Sequence, residues 1–194
     1  MVRHPYAMAG FSMIEILVSL LILCVGLLGM ASLQVRSMQL TQSSTLRSNA
    51  VMLADDLLEI MRSNPDSALS SDLFGTTSSY YKVVGSTFTT VALASGETCA
   101  TLKRGAGGST IAGKDMTCWL KQVKALLPVT DAMIKANFAV CPSKTPPASG
   151  SLPYSACEST SRSVVMIVLA WQDDTESGAG CTNSICYYTV RAEL

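Results

Sequence analysis

The chain has 194 residues, of which 48% are hydrophobic and 14% are charged, and its 14 basic and 14 acidic side chains cancel. A chain of this length and composition can hold one membrane helix and one modest globular domain. The neutral net charge argues against a general affinity for nucleic acid or for acidic lipid.

The first predicted element is an apolar run from Phe11 to Leu33, interrupted by a single charge at Glu15. At about 1.5 Å per residue, a helix over this run is long enough to cross the hydrocarbon core of a bilayer. A carboxylate inside such a helix costs at least a few kcal/mol unless a partner neutralises it. Glu15 is therefore predicted to have a functional role.

Residues 10–15 read Gly-Phe-Ser-Met-Ile-Glu, and this motif resembles the prepilin cleavage site of type IV pilins and pseudopilins. In that family a short leader ends in Gly, the next residue is usually Phe, and Glu is the fifth residue of the mature chain. The resemblance implies that residues 1–10 are a leader, that the prepilin peptidase cleaves between Gly10 and Phe11, and that the new Phe11 amine is methylated. It also implies that Glu15 takes part in docking during assembly.

Three other interpretations of the N-terminus were weighed. A secretory signal would have a cleavage site near Ala31, but an acidic residue within its apolar core hinders insertion. A lipoprotein signal would place Gly or Ala before its cysteine, whereas Cys24 follows Leu23. A plain membrane anchor also fits the length of the run and remains an alternative, although it assigns no role to Glu15.

The helical pattern continues beyond the membrane-length run. No Pro or Gly occurs between Leu33 and Met61, and the Asn64-Pro65 pair predicts the helix end. We therefore predict one helix over 11–63, with residues 11–33 as its transmembrane half and residues 34–64 as its soluble half and exit. An apolar stripe at intervals of three or four residues is expected to pack on the head; it comprises Leu46, Ala50, Leu53, Leu57 and Met61.

Residues 65–194 are predicted to form an α+β head, with a small antiparallel sheet packed on the long helix. The two strongest strand patterns are Ser163 to Trp171 and Cys186 to Glu193. The weaker predictions are strands at 83–84, 87–93 and 137–141, a helix over 116–127 capped by Asp115, and a loop over 142–153.

Seven cysteines divide into two groups. Cys24 lies in the apolar run and is expected to behave as a small apolar residue. The other six lie in the head and predict three disulfides formed in an oxidising compartment. Six cysteines allow 15 pairings; nearest neighbours are expected to pair, giving Cys99 with Cys118, Cys141 with Cys157, and Cys181 with Cys186. Zinc is disfavoured because no C-x-x-C pair occurs and the only histidine, His4, is in the leader.

A second resemblance narrows the family. Residues 50–65, with their acidic, Leu-rich turn leading into Met61-Arg62-Ser63-Asn64-Pro65, are similar to the type IV pilus modification protein, the PilV-type minor pilin. Trp119 and the sequence Ala-Trp-Gln-Asp at 170–173 are similar to later landmarks of that family, whereas residues 66–113 carry no resemblance. Ser32 stands where major pilins usually have Pro, which disfavours the bulk filament subunit.

This resemblance implies a non-enzymatic minor pilin that is inserted in the bacterial inner membrane with a periplasmic head and then joins the pilus. Its expected partners are the prepilin peptidase, other minor pilins and the major pilin; it needs no cofactor or metal and no nucleic acid is expected. Two alternatives remain open, a pseudopilin of type II secretion and a membrane-tethered periplasmic binding domain.

The head sequence gives only weak signals for a catalytic, calcium-binding or DNA-binding site. Asp55 and Asp56 are adjacent on a helix and point about 100° apart, so they cannot act as a catalytic carboxylate pair. A loop with Asp173, Asp174 and Glu176 lacks the spacing of an EF-hand calcium loop. The Lys103-Arg104 pair has too few cations to indicate binding to DNA.

Overall fold

A computed structural model of the chain describes residues 12–105, 107–174 and 180–194. The leader with its cleavage site at Gly10 and Phe11, and Glu176 of the acidic loop, lie outside the described residues. The elements in chain order are α1 Met13–Arg62, α2 Pro65–Ala68, β1 Leu69–Ser70, β2 Leu73–Phe74, α3 Ser109–Leu126, α4 Asp131–Asn137, β3 Ala139–Pro142, a 3-10 helix Pro153–Ala156, β4 Val164–Gln172, β5 Cys181–Thr182 and β6 Ile185–Glu193. Two compact units divide between Gln42 and Ser43, and each is described separately below.

Helix α1 is continuous over 50 residues, close to the range predicted from the sequence. It ends at Arg62 because the next residues, Ser63 and Asn64, lead into Pro65, which begins the short helix α2. Proline is well suited to the first position of a helix because its ring fixes φ and the missing N–H would have no intrahelical partner there.

The C-terminal part of α1 belongs to the second unit and supplies one wall of its core. Its predicted stripe is buried: Ala50, Leu53, Leu57 and Met61 have no exposed surface, and Leu46 packs against the same cluster. The indole nitrogen of Trp119 on α3 donates to the carbonyl of Leu53 at 2.8 Å. Helices α1 and α3 are therefore joined by apolar packing and by one buried hydrogen bond.

A four-stranded antiparallel sheet forms the centre of the second unit, in the order β3-β4-β6-β5. Both strong strand predictions are confirmed, with bounds shifted by one residue. Strand β4 is apolar from Val164 to Trp171, and both of its faces are buried from Val165 to Trp171. Val165 and Ile167 belong to the main core, whereas Met166 and Val168 form a second cluster with Ala139 of β3.

Three disulfides are present in the second unit and join the nearest-neighbour pairs that were expected from the sequence. They are Cys99–Cys118, Cys141–Cys157 and Cys181–Cys186. The last pair closes the β5–β6 hairpin, whose turn residues Asn183 and Ser184 both have positive φ. This conformation is the one required for a two-residue turn whose twist matches the flanking strands.

The strands predicted at 83–84 and 87–93 do not occur. Within the second of these segments, Val91 instead donates its backbone N–H to the carbonyl of Gly113 at 2.9 Å, and its own carbonyl accepts from the Thr117 hydroxyl at 2.8 Å. Its backbone is therefore satisfied by helix α3 and not by a neighbouring strand. This close approach requires glycine, because a Cβ at Gly113 would lie 2.5 Å from a methyl carbon of Val91.

The sequence analysis predicted that Asp115 caps a helix, and this prediction is wrong. Helix α3 begins six residues earlier, at Ser109, and Asp115 lies inside it with its side chain buried. A second helix, α4, was missed, although Thr130 caps it by accepting from the N–H of Met133. The strand predicted over 137–141 is β3, which begins only at Ala139 because α4 occupies Asn137.

Candidate functional site

The first unit contains an apolar helix surface that no other described part of the chain covers. Large apolar side chains from Met13 to Leu40 are exposed on every side of the helix; Leu21 is 64% and Leu28 is 72% exposed. In the described residues, α1 is the one helix that is long and apolar enough to cross a membrane. An apolar surface of this extent must be covered by lipid or by other proteins.

Glu15 is the only charged residue from Ser12 to Val35. It lies in the first turn of α1, where a carboxylate is favoured by the positive end of the helix dipole. Its backbone is held by the carbonyl of Ser12 at 3.0 Å, and its own carbonyl accepts from the Ser19 hydroxyl at 2.7 Å. Within the described residues, its carboxylate makes no hydrogen bond or ion pair, so it is available to a cation from elsewhere.

Cys24 is exposed on the same apolar helix and is the one free cysteine in the described residues. Gly26 and Gly29 lie within α1 and do not interrupt it. Ser32 donates its hydroxyl to the carbonyl of Gly29 at 2.9 Å, so this polar group is satisfied within the helix. The helix surface between Glu15 and Leu33 is therefore apolar, and the hydroxyls of Ser19 and Ser32 on it are bonded to carbonyls of the same helix.

In the head, Arg104 and Asp56 make contacts that join parts of the fold. Arg104 forms an ion pair with the buried Asp115 carboxylate at 3.2 Å and donates to the Ser63 hydroxyl at 2.9 Å. Burial raises the pKa of Asp115, and the Arg104 charge opposes that shift. Asp56 accepts from the Gln122 amide at 3.1 Å. These contacts join α3 and the preceding loop to α1.

The described residues contain no group of three or more metal-ligating side chains that could hold an ion. Of the acidic loop considered above, Asp173 is buried and Asp174 accepts from the Gln172 amide. The described part of the loop therefore contains no cluster that could hold calcium.

Asn64 follows the end of α1, and the sequence analysis did not predict the contacts of its side chain. Its buried side chain donates to the Tyr80 hydroxyl and to the carbonyl of Gly108, and it accepts from the Gly108 N–H at 3.0 Å. Gly107 must be glycine, because its φ is +69° and a Cβ there would lie 2.8 Å from the Asn64 oxygen. The Asn64 amide thus fixes the loop that leads into α3 against the end of α1.

Lys82 is a second overlooked residue and is fully buried. Its ammonium donates to the carbonyls of Val83, Lys135 and Phe138, and it lies 5.5 Å from the centre of the Phe88 ring. Burial lowers its pKa from the ordinary 10.5 to about 8. The loop around Lys82 and the end of α4 are therefore held by a cation whose partners are neutral carbonyl dipoles and an aromatic face.

Comparison with known protein families found a match over less than half of the chain. Residues 32–104 match the family model described as Tt1218-like, type IV pilin Tt1218. No curated protein sequence and no solved structure matches the chain. Over these residues the chain is therefore similar to type IV pilins, and the apolar part of α1 is long enough to cross a membrane.

Replacing Lys82 should change how stability depends on pH. Between pH 8 and 10.5 the unfolded chain retains the Lys82 proton that the folded chain has released, so unfolding binds protons and stability rises with pH. We expect the free energy of unfolding of the wild type to rise relative to Lys82→Met by about 2 kcal/mol between pH 7.5 and 9.5. Chemical denaturation at these pH values tests this, with Lys103→Met as the control. A constant difference across the range would contradict the prediction.

Labelling of Cys24 tests whether its part of α1 is embedded in lipid. A thiol in hydrocarbon stays protonated and unreactive, so we expect Cys24 in isolated membranes to resist a membrane-impermeant maleimide. The control is Ser37→Cys combined with Cys24→Ser, which places an exposed thiol beyond Leu33 and should react. Equal labelling of both proteins in intact membranes would mean that Cys24 faces water.

Proposed function

We propose that this chain is a minor pilin of a type IV pilus, which joins the filament or its priming complex through the apolar part of α1. The observation that carries the proposal is the single carboxylate of Glu15 on an otherwise apolar, membrane-length helix. A simple anchor gains nothing from such a charge, because an unpaired carboxylate in hydrocarbon is costly. A subunit that must align with an adjacent helix gains a specific contact.

In this proposal the chain is made with a leader of residues 1–10 and inserted in the inner membrane with its head in the periplasm. The prepilin peptidase cleaves after Gly10, and the amine of Phe11 becomes a cation about one helical turn from Glu15. The supporting observations are the Gly10-Phe11 motif and the position of Glu15 in the first described turn of α1.

The docking contact follows from electrostatics in a medium of low polarity. A neighbouring subunit brings its own N-terminal amine, and pairing it with the Glu15 carboxylate neutralises two charges that are each expensive in lipid. Apolar contacts along the helix do not select one axial position over another, whereas an ion pair does. Glu15 therefore sets the register of this helix against the next one.

The minor-pilin assignment rests on two further features. Ser32 replaces the proline usual in major pilins, so α1 keeps its hydrogen bonding through this turn. Three disulfides hold the head, which suits a domain that works outside the cytoplasm.

Replacing Glu15 should separate docking from anchoring. We expect Glu15→Gln to be inserted and processed like the wild type, because Gln is nearly isosteric and removes only the charge. Recovery of the mature chain with purified pili or with minor pilins should fall about tenfold or more, since breaking a buried ion pair costs about 3 to 5 kcal/mol. Quantitative immunoblotting of sheared pili and of detergent-extracted complexes measures the change.

The matched control is Ser32→Ala, which removes a polar group from the same helix without changing charge. It should assemble at the wild-type level. Wild-type recovery of Glu15→Gln would disprove the docking role and leave an anchor. Recovery of the wild type with type II secretion components, and its absence from pili, would instead favour the pseudopilin alternative.

Processing can be tested by a substitution at Gly10. A small residue permits close approach of the backbone to a protease, so Gly10→Val should retain the leader while Ala7→Val should be processed normally. Edman or mass-spectrometric sequencing of the membrane-extracted wild type should begin at a methylated Phe11. A wild-type chain beginning at Met1, or after Ala31, would refute the proposed cleavage.

A further inference from the structure

A groove in the second unit has apolar walls and a basic rim, and neither the fold nor pilin docking accounts for it. It has a volume of about 430 Å³ and lies between α3, α4 and the segment 87–90. This volume is near the lower end of the range of about 300 to 1,000 Å³ typical of ligand sites. We call it the lysine-rimmed groove; its lining residues include Phe88, Leu120, Lys121, Lys124, Ile134 and Lys135.

The walls of the lysine-rimmed groove are preformed. Phe88 and Ile134 are both 94% buried, and the Phe88 ring packs edge-on against Trp119 with 5.7 Å between ring centres. On the other side of α4, the Lys82 ammonium bonds the carbonyls of Lys135 and Phe138 and faces the same Phe88 ring. Both sides of the groove are therefore supported by buried contacts and do not need a ligand to hold them.

The rim carries uncompensated positive charge. Lys124 is paired with Asp131, the one carboxylate that lines the groove. Lys121 and Lys135 are exposed, and neither ammonium has a hydrogen-bond or ion-pair partner among the described residues. The Thr87 and Thr90 hydroxyls at the edge are also without such partners in the described part of the chain. Two cations and two hydroxyls are thus available around an apolar floor.

We propose that the lysine-rimmed groove binds a short acidic segment of a partner protein, which inserts an apolar side chain between carboxylates. Charge complementarity selects this occupant, since two free ammonium groups flank an apolar floor. Nucleic acid would need a longer basic surface than two free cations. A small inorganic anion would leave the walls formed by Phe88, Leu120 and Ile134 unused.

The experiment uses the full mature chain in nanodiscs of phosphatidylcholine, and fluorescence anisotropy of a fluorescein-labelled peptide as the readout. The probe has the sequence Asp-Asp-Leu-Leu-Asp. Two matched peptides replace either every Asp by Asn or both Leu by Ser. Saturable binding of the probe is expected, with binding of each matched peptide weaker by about tenfold and with affinity falling as salt rises.

The protein variants test the location. Lys121→Glu combined with Lys135→Glu should weaken probe binding by about tenfold or more, whereas Lys103→Glu, an exposed lysine outside the groove, should bind like the wild type. Thermal unfolding of the variants establishes that the fold is retained, and the peptide comparisons on the wild type do not depend on any variant.

Several results would overturn the proposal. These are no saturable binding, equal binding of the Asn or Ser peptides, or an equal loss in Lys103→Glu. Self-association of the chain in sedimentation experiments that is abolished by the Lys121→Glu and Lys135→Glu changes, without probe binding, would assign the groove to a second copy of the chain and refute the proposed occupant.

Discussion

The head depends on the burial of one stripe of α1. Leu53, Leu57 and Met61 are fully buried among side chains of α3 and the sheet. Burying a side chain of this size contributes about 1.5 to 3 kcal/mol, so the stripe accounts for a substantial share of the stability of a small domain. Directional bonds then fix the helix: Asn49 donates to the carbonyl of Leu126, and Arg62 donates to the carbonyl of Glu193.

The same helix meets two kinds of surroundings, and its sequence changes accordingly. From Met13 to Leu33 the exposed surface is apolar on all sides, which suits lipid or other apolar helices. From Leu46 to Met61 it is apolar along one stripe and polar elsewhere, which suits a helix that is half buried in a domain. A lone carboxylate is ordinary in the second setting and costly in the first. The position of Glu15, more than its residue type, makes it a candidate for docking.

The remainder of the head is stabilised by disulfides between residues near each other in sequence and by side-chain hydrogen bonds to loop backbone. The disulfides join residues separated by 19, 16 and 5 positions, and closures of such lengths are expected to contribute about 2 to 3 kcal/mol each by restricting the unfolded chain. Asn64 and Lys82 satisfy backbone groups of loops that no strand could pair. The Cys99–Cys118 disulfide and the contacts of Asn64 and Lys82 hold the irregular segment between α2 and α3 against the rest of the head.

Sequence by itself determined the features that depend on local periodicity or on composition. The long helix, its buried stripe, strands β4 and β6 and the oxidised cysteines could all be predicted from the spacing of apolar residues and from the placement of cysteines. The pilin resemblance rested on residues 10–15 and 50–65, with landmarks at Trp119 and at residues 170–173. The family match covers residues 32–104 and so includes residues 66–104, which carried no resemblance in the sequence analysis. The similarity in residues 66–104 is therefore carried by a pattern spread over many residues and not by a short motif.

The contacts made by buried polar groups of the head were decided by the tertiary structure alone. Asp115 resembled a helix cap, but α3 begins at Ser109, and Arg104 reaches the buried Asp115 carboxylate from the preceding loop. Residues 87–93 were predicted to form a strand, but the backbone N–H of Val91 donates to the carbonyl of Gly113 on α3. The sequence analysis assigned no role to Lys82, but the carbonyls of Val83, Lys135 and Phe138 surround its ammonium. Each outcome depends on groups distant in sequence, and local periodicity carries no information about such contacts.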